Sequence, residues 1–222
     1  MPANNVVYTV LTGGYDSLKQ PEQITPGWDY LCFSDRHMQN TGIWQVQSID
    51  TGSNPIDQSR RPKIKFFEYL PPCYHNALYV DGNLRLCGDL NQLIHEHFPD
   101  GADAASLAHQ AWNCLYTEGL AVKRLGKANP NKVNELLARY HEEGLPPNHG
   151  LVTAYLLLYR LHNSRSKEFC EQWWQEFQNE EGVKRDQFGL NYLLWKQQPP
   201  LNYHAIRASD VRGLYQWIPH GQ

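Results

Sequence analysis

The chain has 222 residues, with 20 Lys and Arg against 23 Asp and Glu, so its formal charge is -3. That balance argues against an electrostatic nucleic-acid binder, which carries a basic stripe, while 41% hydrophobic and 12% aromatic residues suffice for a packed core. No apolar run approaches the ~20 residues of a membrane span, since Leu151 to Leu161 is too short and contains Arg160.

The start, Met1-Pro-Ala-Asn-Asn5, lacks the basic-then-apolar order of a secretory signal. The expected location is the cytoplasm, free or peripheral at the inner membrane face. Cys32, Cys73, Cys87, Cys114 and Cys170 are widely spaced with no Cys-x-x-Cys pair, which speaks against a disulfide framework or a structural zinc site.

Asn5 to Leu11 is β-branched and apolar and runs into Thr12-Gly13-Gly14-Tyr15-Asp16. A continuous apolar run predicts a strand covered on both faces, as in a parallel α/β sheet. Trp28 to Ser34 repeats the pattern and ends at Asp35, and a third short strand is predicted over Gly42 to Ile49. Asp57 to Leu70 reads as a helix, with Asp57 or Ser59 as its cap, Pro62 in its first turn and Pro71-Pro72 as its stop. Asn76 to Val80 is another apolar strand, terminating in Asp81-Gly82-Asn83, and Asp89 caps a short helix that ends before Pro99.

The second half reads as mostly helical. Asn129-Pro130 opens a helix that Gly144 closes, with Val133, Leu136, Leu137 and Tyr140 on one stripe. Leu151 to Leu161 reads as a buried helix. Glu168 to Glu180 spaces Phe169, Trp173 and Phe177 four apart, a stripe that fits core packing better than sugar stacking, and Gln187 to Lys196 is a further short helix. Without a repeat or linker, the expectation is a single domain over residues 1–222. Strands and helices alternate in a nucleotide-binding half (1–100), and helices dominate an acceptor half (101–222).

Four places carry candidate chemistry. Gly13 and Gly14, directly after a strand, let the backbone turn sharply and approach a ligand, although neither a Gly-x-Gly-x-x-Gly nor a Walker pattern is present. There Tyr15 can stack on a base and Asp16 can bind a ribose or a ring nitrogen. Asp81, ending a buried strand, and Asn83 two residues on share a face and suit a hard divalent cation, while Asp-Gly-Asn is also a common turn sequence. Asp186 either caps the helix it precedes or, with Asn191, grips sugar hydroxyls at the mouth of a sheet. Arg60 and Lys63, three apart near a helix start, can neutralise a diphosphate, and Arg61 and Lys65 fit a solvated face.

Val7-Tyr-Thr-Val-Leu-Thr-Gly-Gly-Tyr-Asp16, Trp28-Asp-Tyr-Leu-Cys-Phe-Ser-Asp35, Arg60 with Lys63, and Tyr79-Val-Asp-Gly-Asn83 follow one another in a telling order. Tyr159-Arg-Leu-His-Asn163, Trp173-Trp174 and Arg185-Asp-Gln-Phe-Gly-Leu-Asn-Tyr192 come later. Together these blocks, most of residues 6 to 196, resemble the glycosyltransferase-like domain family of plant turgor-regulating and mucilage-related enzymes and their bacterial relatives. The resemblance implies an α/β GT-A fold: a Rossmann-like, mixed central sheet flanked by helices, with a helix-rich C-terminal half. It implies a metal-dependent hexosyltransferase of polysaccharide biosynthesis that moves a sugar from a nucleotide-sugar, usually a UDP-sugar, to a saccharide or glycoconjugate acceptor.

The same resemblance implies Mn2+ or Mg2+ as cofactor, held by a DXD-like motif of Asp81 and Asn83, with His220, or alternatively His204, completing the shell. Thr12, Gly13, Gly14, Tyr15, Asp16, Asp35, Arg60, Lys63, Asp81 and Gly82 would bind the nucleotide-sugar, and Asp186 and Gln187 would carry the chemistry. Likeness of the Asp-Gln block to that of glycogenin-like transferases favours retention of configuration. Two other classes compete. A nucleotidyltransferase acting on sugar phosphates would place a basic residue right after the first strand, where none comes before Lys19. A non-catalytic carbohydrate-binding relative would explain Asn83 in place of a second Asp.

Overall fold

A computed structural model describes residues 3–49 and 54–220. Seven strands make the central sheet, in the order β3-β2-β1-β4-β7-β6-β8. They are β1 (Asn5–Leu11), β2 (Trp28–Ser34), β3 (Gln45–Ser48), β4 (Asn76–Val80), β6 (Ala104–Ala108), β7 (Val152–Arg160) and β8 (Tyr203–Ile206). β1 to β4 pair in parallel, β7 is antiparallel to both β4 and β6, and β8 is parallel to β6. The carboxyl ends of β1, β2 and β4 therefore open on one edge, where ligands of open α/β sheets bind. A two-stranded sheet of β5 (Leu84–Leu86) and β9 (Tyr215–Trp217) sits beside it.

The sheet has a core on each face, which is why β1 is apolar throughout rather than alternating. Val6, Tyr8 and Val10 point into one core with Ile64, Trp173, Phe177 and Leu190. Val7 and Leu11 point into the other with Leu84, Leu90, Leu93 and Leu214. The first core is closed by α1 (Pro55–Ile64), α5 (Ser164–Asn179) and α6 (Asp186–Lys196), and the second by α2 (Leu90–His97) with the small sheet. α3 (Leu115–Arg124) packs on α4 (Pro130–Glu142).

Several predicted elements stand. Asn129 and Asp89 cap α4 and α2, the latter by accepting from the Asn91 N–H at 2.8 Å. The helix around Arg60 starts earlier than predicted: Asn54 caps it, Pro55 opens it, and Pro62 lies inside it. Neither Asp57 nor Ser59 is the cap. α5 likewise begins at Ser164, capped by Asn163.

The largest correction concerns Leu151 to Leu161, expected as a helix and found as strand β7. It is covered on both faces, with Leu156 and Leu158 in one core and Leu157 and Tyr159 in the other. An apolar run without polar alternation satisfies a buried helix and a doubly covered strand equally. With β6, β8 and β9, the second half supplies four strands as well as four helices. All five cysteines are free, and no helix among the described residues is long and apolar enough to cross a membrane.

Candidate active site

A cleft of 390 Å³ opens where β1 and β4 end, lined by Thr12, Gly13, Tyr15 and Asp16 from one loop and by Asp81, Gly82 and Asn83 from the other. Ser59 and Arg60 of α1 and His220 of the C-terminal segment complete the wall. Local backbone chemistry builds it. Gly13 and Gly14 have φ of +63° and +65°, a left-handed pair that reverses the chain after β1. The Gly13 N–H donates to Asp35 Oδ2 at 2.8 Å, so Asp35, ending β2, fastens this turn from behind. The other Asp35 oxygen is buried and takes no hydrogen bond among the described residues.

Gly82 brings the two loops together. A Cβ there would lie 2.3 Å from Leu11 Cδ2 and 3.5 Å from Asp16 Cβ, so a side chain at this position would force the loops apart. The closeness sets Asp16 beside Asn83 and His220. His220 Nδ1 is 3.0 and 3.1 Å from the two Asp16 oxygens, and Nε2 is 3.3 Å from Asn83 Nδ2. Pairing of β9 with β5 and the Ile218 N–H donating to Asn83 O at 2.9 Å carry the C-terminal segment to this point. Tyr15 packs its ring against the His220 imidazole, with centroids 4.7 Å apart.

Behind the cleft lies a charged cluster. Asp81 Oδ1 accepts from Tyr79 OH at 2.7 Å and from Lys63 Nζ at 3.3 Å. Lys63, 2% exposed, also reaches Asp186 Oδ2 at 2.6 Å, and Arg60 Nε comes within 3.4 Å of the same oxygen. Burial pushes the Asp186 carboxyl up, but Lys63 and Arg60 outweigh it and hold it well below the usual carboxylate range. Arg60 lines the cleft, whereas Lys63 sits beneath it as the counter-ion of two carboxylates. Gln187 Nε2 is buried next to Asp186 with no hydrogen-bond partner among the described residues.

Asp186 does not cap α6. It is the first helical residue, and its side chain turns to Lys63 instead. Glu180, which no sequence pattern singled out, takes the capping work: it accepts from the Arg185 N–H at 3.1 Å and the Gly189 N–H at 2.9 Å. Trp173, read from its spacing as core, also donates Nε1–H to the Asp186 carbonyl at 2.8 Å. Asn191, considered above for sugar hydroxyls, spends its amide on the backbone of Val152, accepting at 2.7 Å and donating at 2.9 Å. It pins α6 to β7. His204 lies on β8 opposite Ala105, three strands from β4, so the alternative metal ligand falls away from the cleft and His220 remains.

The donor set facing the cleft is a carboxylate, an amide and an imidazole. Among the described residues no group of three or more His, Cys, Asp or Glu side chains is arranged to hold a metal ion. Asn83 Oδ1 is buried without a hydrogen-bond partner among the described residues, while the amide nitrogen faces His220 Nε2 at 3.3 Å, so a half-turn of the amide would turn an oxygen donor towards the imidazole. Oxygen and imidazole donors together suit a divalent cation.

Among solved structures, the chain is similar to mouse xyloside xylosyltransferase 1 in its apo form, with 11% identity, TM-score 0.52 and coverage of 96% of this chain and 94% of that one. It is also similar to the apo bifunctional glycosyltransferase WbbM, with 11% identity, TM-score 0.56 and coverage of 92% of this chain and 39% of that one. The fold is thus the GT-A glycosyltransferase fold, a mixed sheet between helical layers. A comparison with curated protein sequences found no match. The family model described as the TOD1/MUCI70 glycosyltransferase-like domain matches residues 2–220, and the chain belongs to that family.

Proposed function

We propose that the cleft binds a nucleotide-sugar, in the first instance a UDP-sugar, together with Mn2+ or Mg2+, and that the protein transfers the sugar to a saccharide or glycoconjugate acceptor. The observation that carries this reading is the meeting of Asp81, Asn83 and His220 in one cleft, with the Asn83 amide 3.3 Å from His220 Nε2. When bound, the cation supplies Lewis-acid stabilisation of the charge that develops on the diphosphate leaving group. Asp81, Asn83 and His220 are the residues that would hold it. An amide brings no charge, so this set binds the ion weakly until phosphate oxygens join it.

The remaining work falls to the chain itself. Arg60, in the cleft wall, adds positive potential towards the diphosphate. Gly13, which faces open space, allows the nucleotide to approach the backbone, whereas the Arg36 guanidinium covers Gly14, and Tyr15, two-thirds exposed, offers its ring to the base. Asp186, kept ionised by two cations, is a poor acceptor of an incoming hydroxyl's proton. Retention, with the leaving phosphate taking that proton, is therefore the outcome this geometry favours.

The test is incubation with a panel of nucleotide-sugars and Mn2+, with and without saccharide acceptors. Release of nucleoside diphosphate with transfer or hydrolysis supports the reading. Pyrophosphate release indicates a nucleotidyltransferase, and no release from any donor indicates the binding-only relative that Asn83 would suit.

A further inference from the structure

We propose that Asp16 is a positioning residue for His220: it accepts the Nδ1–H, fixes the imidazole in the tautomer with a bare Nε2, and so ties the C-terminal segment across the mouth of the cleft. The identity of the group that Nε2 faces rests on the nucleotide-sugar reading above, but the tautomer and the tie do not.

Both Asp16 oxygens approach the same ring nitrogen, at 3.0 and 3.1 Å. A carboxylate has no proton to give at neutral pH, so Nδ1 must carry the hydrogen. A neutral imidazole has one N–H, so Nε2 is left as a lone pair, and it lies 3.3 Å from the Asn83 amide nitrogen. That amide is the natural donor to it in the ligand-free cleft. A half-turn of the amide would instead present its now-buried oxygen on the same side as Nε2. A ring nitrogen held by a carboxylate while the other faces a ligand is how proteins orient an imidazole for metal binding.

The surroundings are built for this contact. The Asp16 side chain is 10% exposed against 49% for His220, so the carboxylate is the fixed partner. Asp16 lies over the loop after β4, its Cβ 3.5 Å from where a Cβ on Gly82 would stand. Tyr15 packs the other side of the imidazole. The segment is also held by three β5–β9 residue pairs, by a backbone hydrogen bond to Asn83, and by Tyr155, which meets the Tyr215 hydroxyl at 3.1 Å and the Trp217 ring. The contact also turns Asp16 away from the ribose and base, whose recognition passes to Tyr15 and the Gly13 backbone.

Three measurements on the full chain decide it: imidazole nitrogen shifts of His220 by NMR, which tell the two neutral tautomers and the doubly protonated ring apart; Mn2+ titration by EPR with and without UDP; and UDP against CDP and GDP affinity without metal. The wild type is expected to show the Nδ1–H tautomer of His220, and Asp16→Ala is expected to lose it. Asp16→Ala should weaken Mn2+ binding in the presence of UDP by about tenfold or more, with metal-free UDP affinity and base preference unchanged. Asp16→Asn, which keeps an acceptor oxygen, should restore most of the loss, and Asp16→Ala in a His220→Ala background should cost nothing further.

The proposal is overturned if the wild type shows the Nε2–H tautomer, or if Asp16→Ala changes base preference while leaving Mn2+ affinity intact. A wild type that binds no Mn2+ with UDP defeats the metal-dependent function instead. The NMR result still decides the role of Asp16.

Discussion

Lys63 Nζ lies 2.6 Å from Asp186 Oδ2 and 3.3 Å from Asp81 Oδ1, so one buried ammonium couples the residue that opens α6 to the residue that follows β4. The pair is almost sealed from water, with side-chain exposures of 3% and 9%. Taking one partner away leaves an uncompensated buried charge, which typically costs 3–5 kcal/mol. Lys63→Met is therefore expected to destabilise the fold by about 3 kcal/mol or more, read as a lower urea midpoint. Asp186→Asn removes charge but keeps shape, and Asp81 remains as a counter-ion of Lys63, while Arg60 loses its carboxylate partner. The effect of this substitution falls on turnover far more than on nucleotide affinity, and equal losses in both would make Asp186 a structural residue only.

Asp81 is the single carboxylate of the donor set, and its side chain is about one-third exposed to the cleft. Asp81→Ala removes the only anionic ligand and frees Lys63 from one of its two counter-ions. UDP binding measured by calorimetry is expected to lose its Mn2+ enhancement entirely while keeping its metal-free component. Unchanged affinity for UDP with Mn2+ would defeat the assignment of this site.

Gly82 offers a test of how tightly the two loops must meet. A methyl group at 82 would sit 2.3 Å from Leu11 Cδ2, and Leu11 is itself buried at the end of β1. Overpacking of this kind costs typically 1–3 kcal/mol. Relief of the clash would move the Asn83 loop away from Asp16. Gly82→Ala is thus expected to lower the melting temperature and weaken donor binding together. A variant that binds UDP and Mn2+ as tightly as the wild type would show that the spacing is not critical.

What the sequence revealed and concealed divides along physical lines. Tyr79-Val-Asp-Gly-Asn83 was legible because a buried strand followed by a turn is written locally, in the side chains themselves. β7 was not, since Leu151 to Leu161 is apolar in every direction and period cannot separate a helix from a strand covered on both faces. β6 was missed because Ala104-Ala-Ser-Leu-Ala108 has small residues with weak strand preference and owes its conformation to pairing with β7 and β8. Lys63 was read as a phosphate ligand because its burial depends on Asp186, far along the chain. Glu180 left no signal, as a capping carboxylate that reaches back from outside its helix follows no fixed spacing.

Glu180 also sets a pH dependence whose sign can be worked out. It is 1% exposed, and burial pushes its carboxyl well above the usual range, with the nearby Asp186 adding to the rise and the Arg185 and Gly189 N–H groups opposing it. A raised folded value means that the native state binds more protons than the unfolded chain above the unfolded value of about 4.3. Glu180 therefore contributes a stability loss that grows as the pH rises from about 4.3 towards the folded value. Asp186 works in the opposite direction. Its lowered folded value gives stability that is present above about pH 3.9 and is lost as the pH falls below it. The two effects occupy different windows, so urea midpoints measured from pH 3 to 8 separate them. Glu180→Gln is expected to flatten the decline between pH 5 and 8 without changing the acid limb, and Asp186→Asn to flatten the acid limb while also easing the decline, because its charge adds to the rise of Glu180. A decline of unchanged size in Glu180→Gln would show that Glu180 is not its source.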